Sequence, residues 1–176
     1  MDIRTVGIVG AGQMGNGIAH VFALAGYRVL MNDVSEPSLA KAIDTIDKNM
    51  ERQVSRDKIS AEDKAAALSR IATTLTLADL GQTDLIIEAA SEEEAVKKDV
   101  FAELTPLLGP DTLLASNTSS ISITRLASAT DRPDRVVGWH WASPAPVMKL
   151  AEIVRSKATS DDTVAVSLHI YKAPME

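Results

Sequence analysis

The chain contains no cysteine. Disulfides, thiolate-held metals and a cysteine nucleophile are excluded at once. Histidine is scarce: His20, His140 and His169 are the only three, and no two stand at the spacing of a metal pair on one helix. Nothing therefore points to a resident metal. Positive charge is in deficit, with 18 Lys and Arg against 24 Asp and Glu and a formal net charge of −6. That balance argues against a nucleic-acid module built on a basic face and against a polybasic membrane surface. No apolar run reaches the roughly 18 residues of a membrane helix, and the first residues lack a signal-peptide pattern. Repeats and low-complexity tracts are missing too. The expectation is a cytoplasmic protein.

What is present suits a single folded unit. The 176 residues are 45% apolar and 24% charged, enough to bury a core and too apolar for disorder. Ile3 to Val9 read as a buried strand ending at Gly10. Met14, Ile18, Val21, Phe22 and Ala25 then recur at helical spacing, and Gly26 stops that helix. Tyr27 to Met31 read as a second strand. Ser35 can cap a helix with Pro37 in its first turn, running to about Arg56. Ser60 and Asp63 make a near capping box for another helix, ending near Ser69. Further strands are expected at 73–77, 85–88, 112–115, 136–140 and 149–154, with helices at 92–107, 121–129 and 163–171. The alternation predicts an α/β fold of Rossmann type, doubly wound around a mostly parallel sheet. One crossover, after the second strand, holds about forty residues, more than a plain crossover needs. It reads as a helical hairpin at about 36–70 projecting from the domain, a candidate recognition arm; two helices simply packed on the sheet fit the pattern equally well.

Gly10-Ala11-Gly12-Gln13-Met14-Gly15 fits G-x-G-x-x-G. Alone the motif is weak, but here it follows a strand, opens a helix and precedes a second strand ending at Asp33. Gly10 allows the tight turn, Gly12 lets a pyrophosphate approach, and Gly15 lets helix and strand pack closely. The helix N-terminus offers N–H groups and a favourable dipole to the phosphates. The Asp33 carboxylate can accept both ribose hydroxyls and repels a 2′-phosphate. Val34 and Ser35 offer no Arg, so NAD is expected over NADP. Near the other end, His140 and Glu152 flank a loop centred near residue 146. If the two strands fold back on each other, the pair stands opposite on one face. A carboxylate beside imidazole orients it and favours its protonated form, which suits a base that takes an alcohol's proton.

The chain resembles the NAD-binding domain of the 3-hydroxyacyl-CoA dehydrogenases, from residue 3 to about 166. The likeness rests on Gly-Ala-Gly-Gln-Met-Gly-Asn-Gly-Ile-Ala at 10–19, Ser-Asn-Thr-Ser-Ser at 116–120 and Pro-Ala-Pro-Val-Met-Lys-Leu-Ala-Glu-Ile at 144–153. It implies NAD-dependent oxidation of (S)-3-hydroxyacyl-CoA to 3-oxoacyl-CoA in fatty-acid metabolism, with His140 and Glu152 as the catalytic pair. It implies cofactor contacts from Gly10, Gly12, Gln13, Met14, Gly15, Asp33, Glu92, Lys97 and Asn117. Ser119 and Ser143 would lie at the substrate, and Arg52, Arg56 and Lys58 of the arm at coenzyme A, although a solvated charged face is the default for such residues. Two departures stand out. The family's His-Phe-Phe-Asn-Pro is here His140-Trp141-Ala142-Ser143-Pro144, with a shorter hydroxyl in place of an amide. Residues 1–176 match only the family's NAD-binding domain; its C-terminal helical dimerisation domain is missing. The last helix would then carry Val164, Val166, Leu168, Ile170 and Tyr171 uncovered, a surface for self-association or for a partner that completes the cleft. A non-catalytic NAD(H)-binding module, acting as a sensor or partner subunit, is the alternative. A β-hydroxyacid dehydrogenase using a Lys base would need a Gly-rich motif that does not occur after residue 120.

Overall fold

The computed structural model describes residues 1–175. Seven strands form one sheet in the order β3-β2-β1-β4-β5-β6-β7. They are β1 Thr5–Val9, β2 Arg28–Asn32, β3 Ile71–Thr74, β4 Leu85–Glu88, β5 Leu113–Ser116, β6 Val136–Trp141 and β7 Ala151–Arg155. All pairings are parallel except β6 with β7. The strand order reverses between β1 and β4, and in such sheets a ligand crevice opens beyond the carboxyl ends of the strands at that point.

The helices are α1 Gln13–Leu24, α2 Glu36–Ser55, α3 Ala61–Ser69, α4 Glu94–Leu104, α5 Ile123–Ala127, α6 Ala145–Met148 and α7 Asp161–Met175. Their starts follow the capping chemistry. The Ser35 hydroxyl accepts the Ser38 N–H at 3.2 Å. Ser60 and Asp63 complete a reciprocal capping box, with both bonds at 3.0 Å. Strand alternation sends side chains to two cores, one on each face of the sheet. Val6, Ile8, Leu85, Ile87, Val137 and Trp139 join α1, α2 and α7 on one face. Ile86, Leu114 and Val136 join Phe101, Leu104 and Leu126 on the other.

The long crossover is a helical hairpin, α2 and α3. Leu39, Ala42, Ile46 and Met50 form a buried stripe along α2 and belong to the same core cluster as α1. The His20 imidazole bonds Gln53 Oε1 at 2.8 Å and ties the two helices together. The arm is thus rooted on α1 by one face and open on the other.

Several boundaries differ from the sequence reading. The third strand lies at Ile71–Thr74, because Leu77 opens a 3₁₀ turn that buries Leu80. The seventh begins at Ala151, after Lys149 takes a left-handed conformation at φ 48°. The proline-rich loop holds the short helix α6. The largest correction concerns the end of the chain. Ile170 is buried in the core, and Val166 and Tyr171 pack against it. The Tyr171 hydroxyl accepts the Ala151 N–H at 3.3 Å. The apolar set of α7 is therefore mostly covered by the chain's own fold, and among its larger members Leu168 is the exposed one, at 46%. Exposed apolar side chains close together in sequence occur instead at Val147, Met148 and Leu150.

Candidate active site

The glycine loop sits at the strand-order reversal, and its three glycines meet different surroundings. Gly10 has φ +102°, and a Cβ there would lie 2.5 Å from the Ala89 carbonyl oxygen. A Cβ on Gly15 would lie 1.8 Å from the Gly10 carbonyl oxygen. At Gly12 a Cβ would meet nothing within 4 Å. The bare backbone there leaves room for a ligand to approach. Gly12 is also the N-cap of α1, with no side-chain cap bond. The first N–H groups of the helix are left for a ligand, as an anion site requires. Asp33, at the end of β2, accepts the Ala11 N–H with Oδ2 and the Ser35 N–H with Oδ1, both at 2.9 Å. Those bonds aim the carboxylate at the rim of the same loop. Loop, helix end and acid together fit a dinucleotide with free ribose hydroxyls. Met14 packs into the core beneath the loop, so its part is to seat the helix. Gln13 is exposed and reaches Ser143 Oγ at 3.4 Å, linking the phosphate loop to the loop after β6.

His140 is placed by its neighbours. Trp139 and Trp141 stack with centroids 5.9 Å apart, and Phe22 meets both edge-on. Two indoles anchored on one face put the residue between them on the other. There His140 pairs with Glu152 in the antiparallel register, and its Nδ1–H donates to Glu152 Oε2 at 2.9 Å. In a neutral ring so bonded, Nε2 is the accepting nitrogen. The pair is open to solvent on one side, with 36% of the His140 side chain exposed.

Between these two groups lie the loops after β4 and β5. Asn117 donates its N–H to the Glu88 carbonyl at 2.9 Å and accepts the Trp141 N–H with Oδ1 at 2.9 Å. The side chain therefore braces β6 next to the His140–Glu152 pair. Glu92 accepts the Thr118 hydroxyl, and Thr118 Oγ1 in turn accepts the N–H groups of Ser120 and Ile121. Ser119 is held at the tip of that turn, exposed. Lys97 differs from the expected cofactor contact. It is 1% exposed, and its ammonium is bound by both Glu88 oxygens and by the Ala90 carbonyl. The reason is Glu88, a carboxylate ending a buried strand at 0% exposure. Burial pushes its pKa up, and Lys97 opposes that rise.

A cavity of about 480 Å³ opens between the N-terminus of α1, the free face of α2 and the loop carrying Pro144 and Pro146. From α2 it is lined by Ser38, Lys41, Thr45 and Asn49. Arg52, Arg56 and Lys58 do not line it. Arg52 stands one turn beyond and donates to Asn49 Oδ1 at 3.4 Å, while Arg56 ends the helix and Lys58 lies in the following turn. The polar stripe at 41, 45 and 49 follows helical spacing and was readable from the sequence. Glu88, Ser116 and Thr118 were missed. The one sequence signal for Glu88 is a lone carboxylate closing an apolar strand. Among the described residues no group of three metal-ligating carboxylates or imidazoles occurs.

A glycine-rich turn at the sheet's reversal point, opening a helix and followed by a strand that ends at an acid, is the build of a dinucleotide-binding domain. The family model described as 3-hydroxyacyl-CoA dehydrogenase, NAD binding domain, matches residues 5–174, and the chain belongs to that family. A 3-hydroxybutyryl-CoA dehydrogenase of Bradyrhizobium diazoefficiens is 53% identical over 165 residues, 94% of this chain and 56% of that protein. A 3-hydroxyadipyl-CoA dehydrogenase of Escherichia coli is 44% identical, over 93% of this chain and 34% of its own length. The crystal structure of (S)-3-hydroxybutyryl-CoA dehydrogenase from Ralstonia eutropha has a TM-score of 0.97 at 43% identity, covering 99% of this chain and 62% of that one. The chain thus spans about half the length of the first of these relatives.

Proposed function

We propose that the chain is the NAD-binding half of an enzyme that oxidises (S)-3-hydroxyacyl-CoA thioesters to 3-oxoacyl-CoA, as in fatty-acid metabolism. The observation that carries the reading is the 2.9 Å bond from His140 to Glu152, on the strand whose following loop meets Gln13 of the phosphate loop. The bound NAD supplies the hydride acceptor. His140 Nε2 takes the hydroxyl proton as the C3–H bond breaks, and it returns that proton in the reverse direction. Glu152 fixes the tautomer and faces the imidazolium as it forms. Ser119 and Ser143 stand at the substrate carbonyl side, with Ser143 also in reach of Gln13. The acyl thioester enters along the cavity between α1 and α2. Lys41 and Asn49 inside it, with Arg52 and Arg56 further along the same helix face, hold the nucleotide part of coenzyme A.

The apolar surface at Val147, Met148 and Leu150 borders this cleft. A second copy or another polypeptide segment covers it and completes the site. No helix among the described residues is long and apolar enough to cross a membrane. The test is turnover with NADH and acetoacetyl-CoA, with acetoacetate alone as the control. Oxidation of NADH by the thioester and not by the free acid supports the reading. NADH and acetoacetyl-CoA binding with no turnover, even at high chain concentration, would favour a binding module instead.

A further inference from the structure

His20 takes no part in the chemistry above, yet it is a titratable group buried to 1% exposure. Its Nε2 stands 2.8 Å from Gln53 Oε1. An amide oxygen only accepts, so Nε2 carries the proton of the neutral ring and Nδ1 is bare. That Nδ1 is buried with no hydrogen-bond partner. A second proton would have to go there, and no acceptor stands ready for it. The charged groups of the packed elements are engaged or turned away. On α2, Glu51 and Arg52 are exposed. On α3, Lys64 is held by Asp47 and Glu51, and Arg70 beyond it donates to the Ala23 carbonyl. Arg28 on β2 and His169 and Lys172 on α7 are exposed, while β1 and α6 carry no charge. Burial holds the ring's pKa below 6.5, against the opposing pull of the Gln53 bond.

The bond also has a telling place on the two helices. Asn16 of α1 and Asn49 of α2 line the cavity between them. His20 comes four residues after Asn16, and Gln53 four residues after Asn49. Residues four apart lie one above the other on a helix face. The bond therefore sits one turn beyond the cavity on both helices and closes that end of it. The glycine turn lies at the other end of α1, about two turns from His20.

We propose that His20 is a positioning residue for the arm: its bond to Gln53 holds the cavity at the width that grips coenzyme A, and a second proton on the ring releases that grip. The proposal rests on the reading of the arm as the coenzyme A site and deepens it. Protonation places a buried charge where nothing answers it, so the ring leaves its site and α2 loosens with it. Acyl-CoA affinity then scales with the fraction of rings still neutral. It falls about twofold at half-protonation and about tenfold one pH unit lower. NAD binding, at the far end of α1, stays as it is. By reciprocity, bound acyl-CoA resists protonation of the ring.

The experiment measures acetyl-CoA binding by calorimetry and NADH binding by fluorescence titration, between pH about 7.5 and 5. The proteins are the wild type, His20→Gln and Gln53→Leu. The 3′-phosphate of coenzyme A titrates near pH about 6 as well, so what counts is the wild type against His20→Gln. That variant keeps an amide to bond Gln53 and cannot titrate. It should match the wild type within about twofold at the upper pH and lose less acetyl-CoA affinity toward the lower. Gln53→Leu lacks the bond at every pH and should bind acetyl-CoA about threefold or more weakly at the upper pH, with NADH affinity within about twofold of wild type. Parallel acetyl-CoA curves for the wild type and His20→Gln overturn the proposal alone. Equal losses of NADH and acetyl-CoA in Gln53→Leu reduce the bond to a purely structural role and overturn it too. If the variants fail to fold, the His20 ring of the wild type decides, followed by NMR. It should titrate at lower pH with acetyl-CoA bound, and an unchanged midpoint overturns the proposal. A wild type that binds NADH but no acetyl-CoA sinks the coenzyme A reading with it.

Discussion

Gly12 and Gly15 lie three residues apart in one motif, yet alanine should damage them in different ways. At Gly15 the new Cβ would start 1.8 Å from the Gly10 carbonyl oxygen. Reaching ordinary contact means moving α1 from the turn by about 1.5 Å, in a core that tolerates little; overpacking of this kind costs about 1–3 kcal/mol. For a domain of this size that is a fall in Tm of roughly 2–12 °C. At Gly12 the Cβ meets nothing within 4 Å, and φ −75°, ψ −163° suits alanine. Alanine is a poorer N-cap than glycine by several tenths of a kcal/mol, and it gains about as much by restricting the unfolded chain. The net change in Tm should stay within about 2 °C. The methyl group does occupy the space where the pyrophosphate meets the backbone, so NADH affinity should fall more than about tenfold. Thermal melts with and without NADH, and NADH titration, read both quantities. The reasoning fails if Gly12→Ala melts as early as Gly15→Ala, or if it binds NADH like the wild type.

Other expectations follow from the same contacts. NADH should bind about tenfold or more tightly than NADPH, and Asp33→Ala should narrow that gap; equal affinities in a titration would refute the role of Asp33. His20 is buried, and burial lowers its pKa below 6.5. The folded state then favours the neutral ring, so its contribution is complete above pH about 6.5 and lost as pH falls through that value toward the folded-state pKa. Tm should drop between pH about 7.5 and 5.5, and less so in His20→Asn; parallel pH curves for the two proteins would contradict this. The surface at Val147, Met148 and Leu150 predicts association that Leu150→Glu weakens, and a strictly monomeric wild type with normal turnover, by light scattering at high concentration, would count against it.

The elements were legible because punctuation and periodicity agree. Gly10, Gly26, Ser35 and Ser60 mark ends that the structure keeps. The α/β fold and the parallel sheet follow from strands that are apolar almost throughout. The facing of His140 and Glu152 was legible as well, because a hairpin closed near residue 146 has one simple register. Other features depend on tertiary placement. Lys97 and Lys98 are neighbours in sequence, and only packing decides that Lys97 turns inward to Glu88 while Lys98 bonds Glu94 at the surface. The coverage of α7 depends on how it crosses β6 and β7. In the arm, charge drew attention to Arg52, Arg56 and Lys58, whereas the cavity is walled by Ser38, Lys41, Thr45 and Asn49 opposite Pro144 and Pro146.

The central claim is that His140, oriented by Glu152, moves the proton while hydride passes between substrate and NAD. It is tested most directly by following NADH fluorescence during reduction of acetoacetyl-CoA by the wild type and by His140→Ala, with the NADH dissociation constant measured for both. The account predicts turnover by the wild type, a loss of roughly 10²–10⁴ in His140→Ala, and an NADH dissociation constant that hardly changes. A His140→Ala protein that turns over acetoacetyl-CoA at the wild-type rate would contradict it.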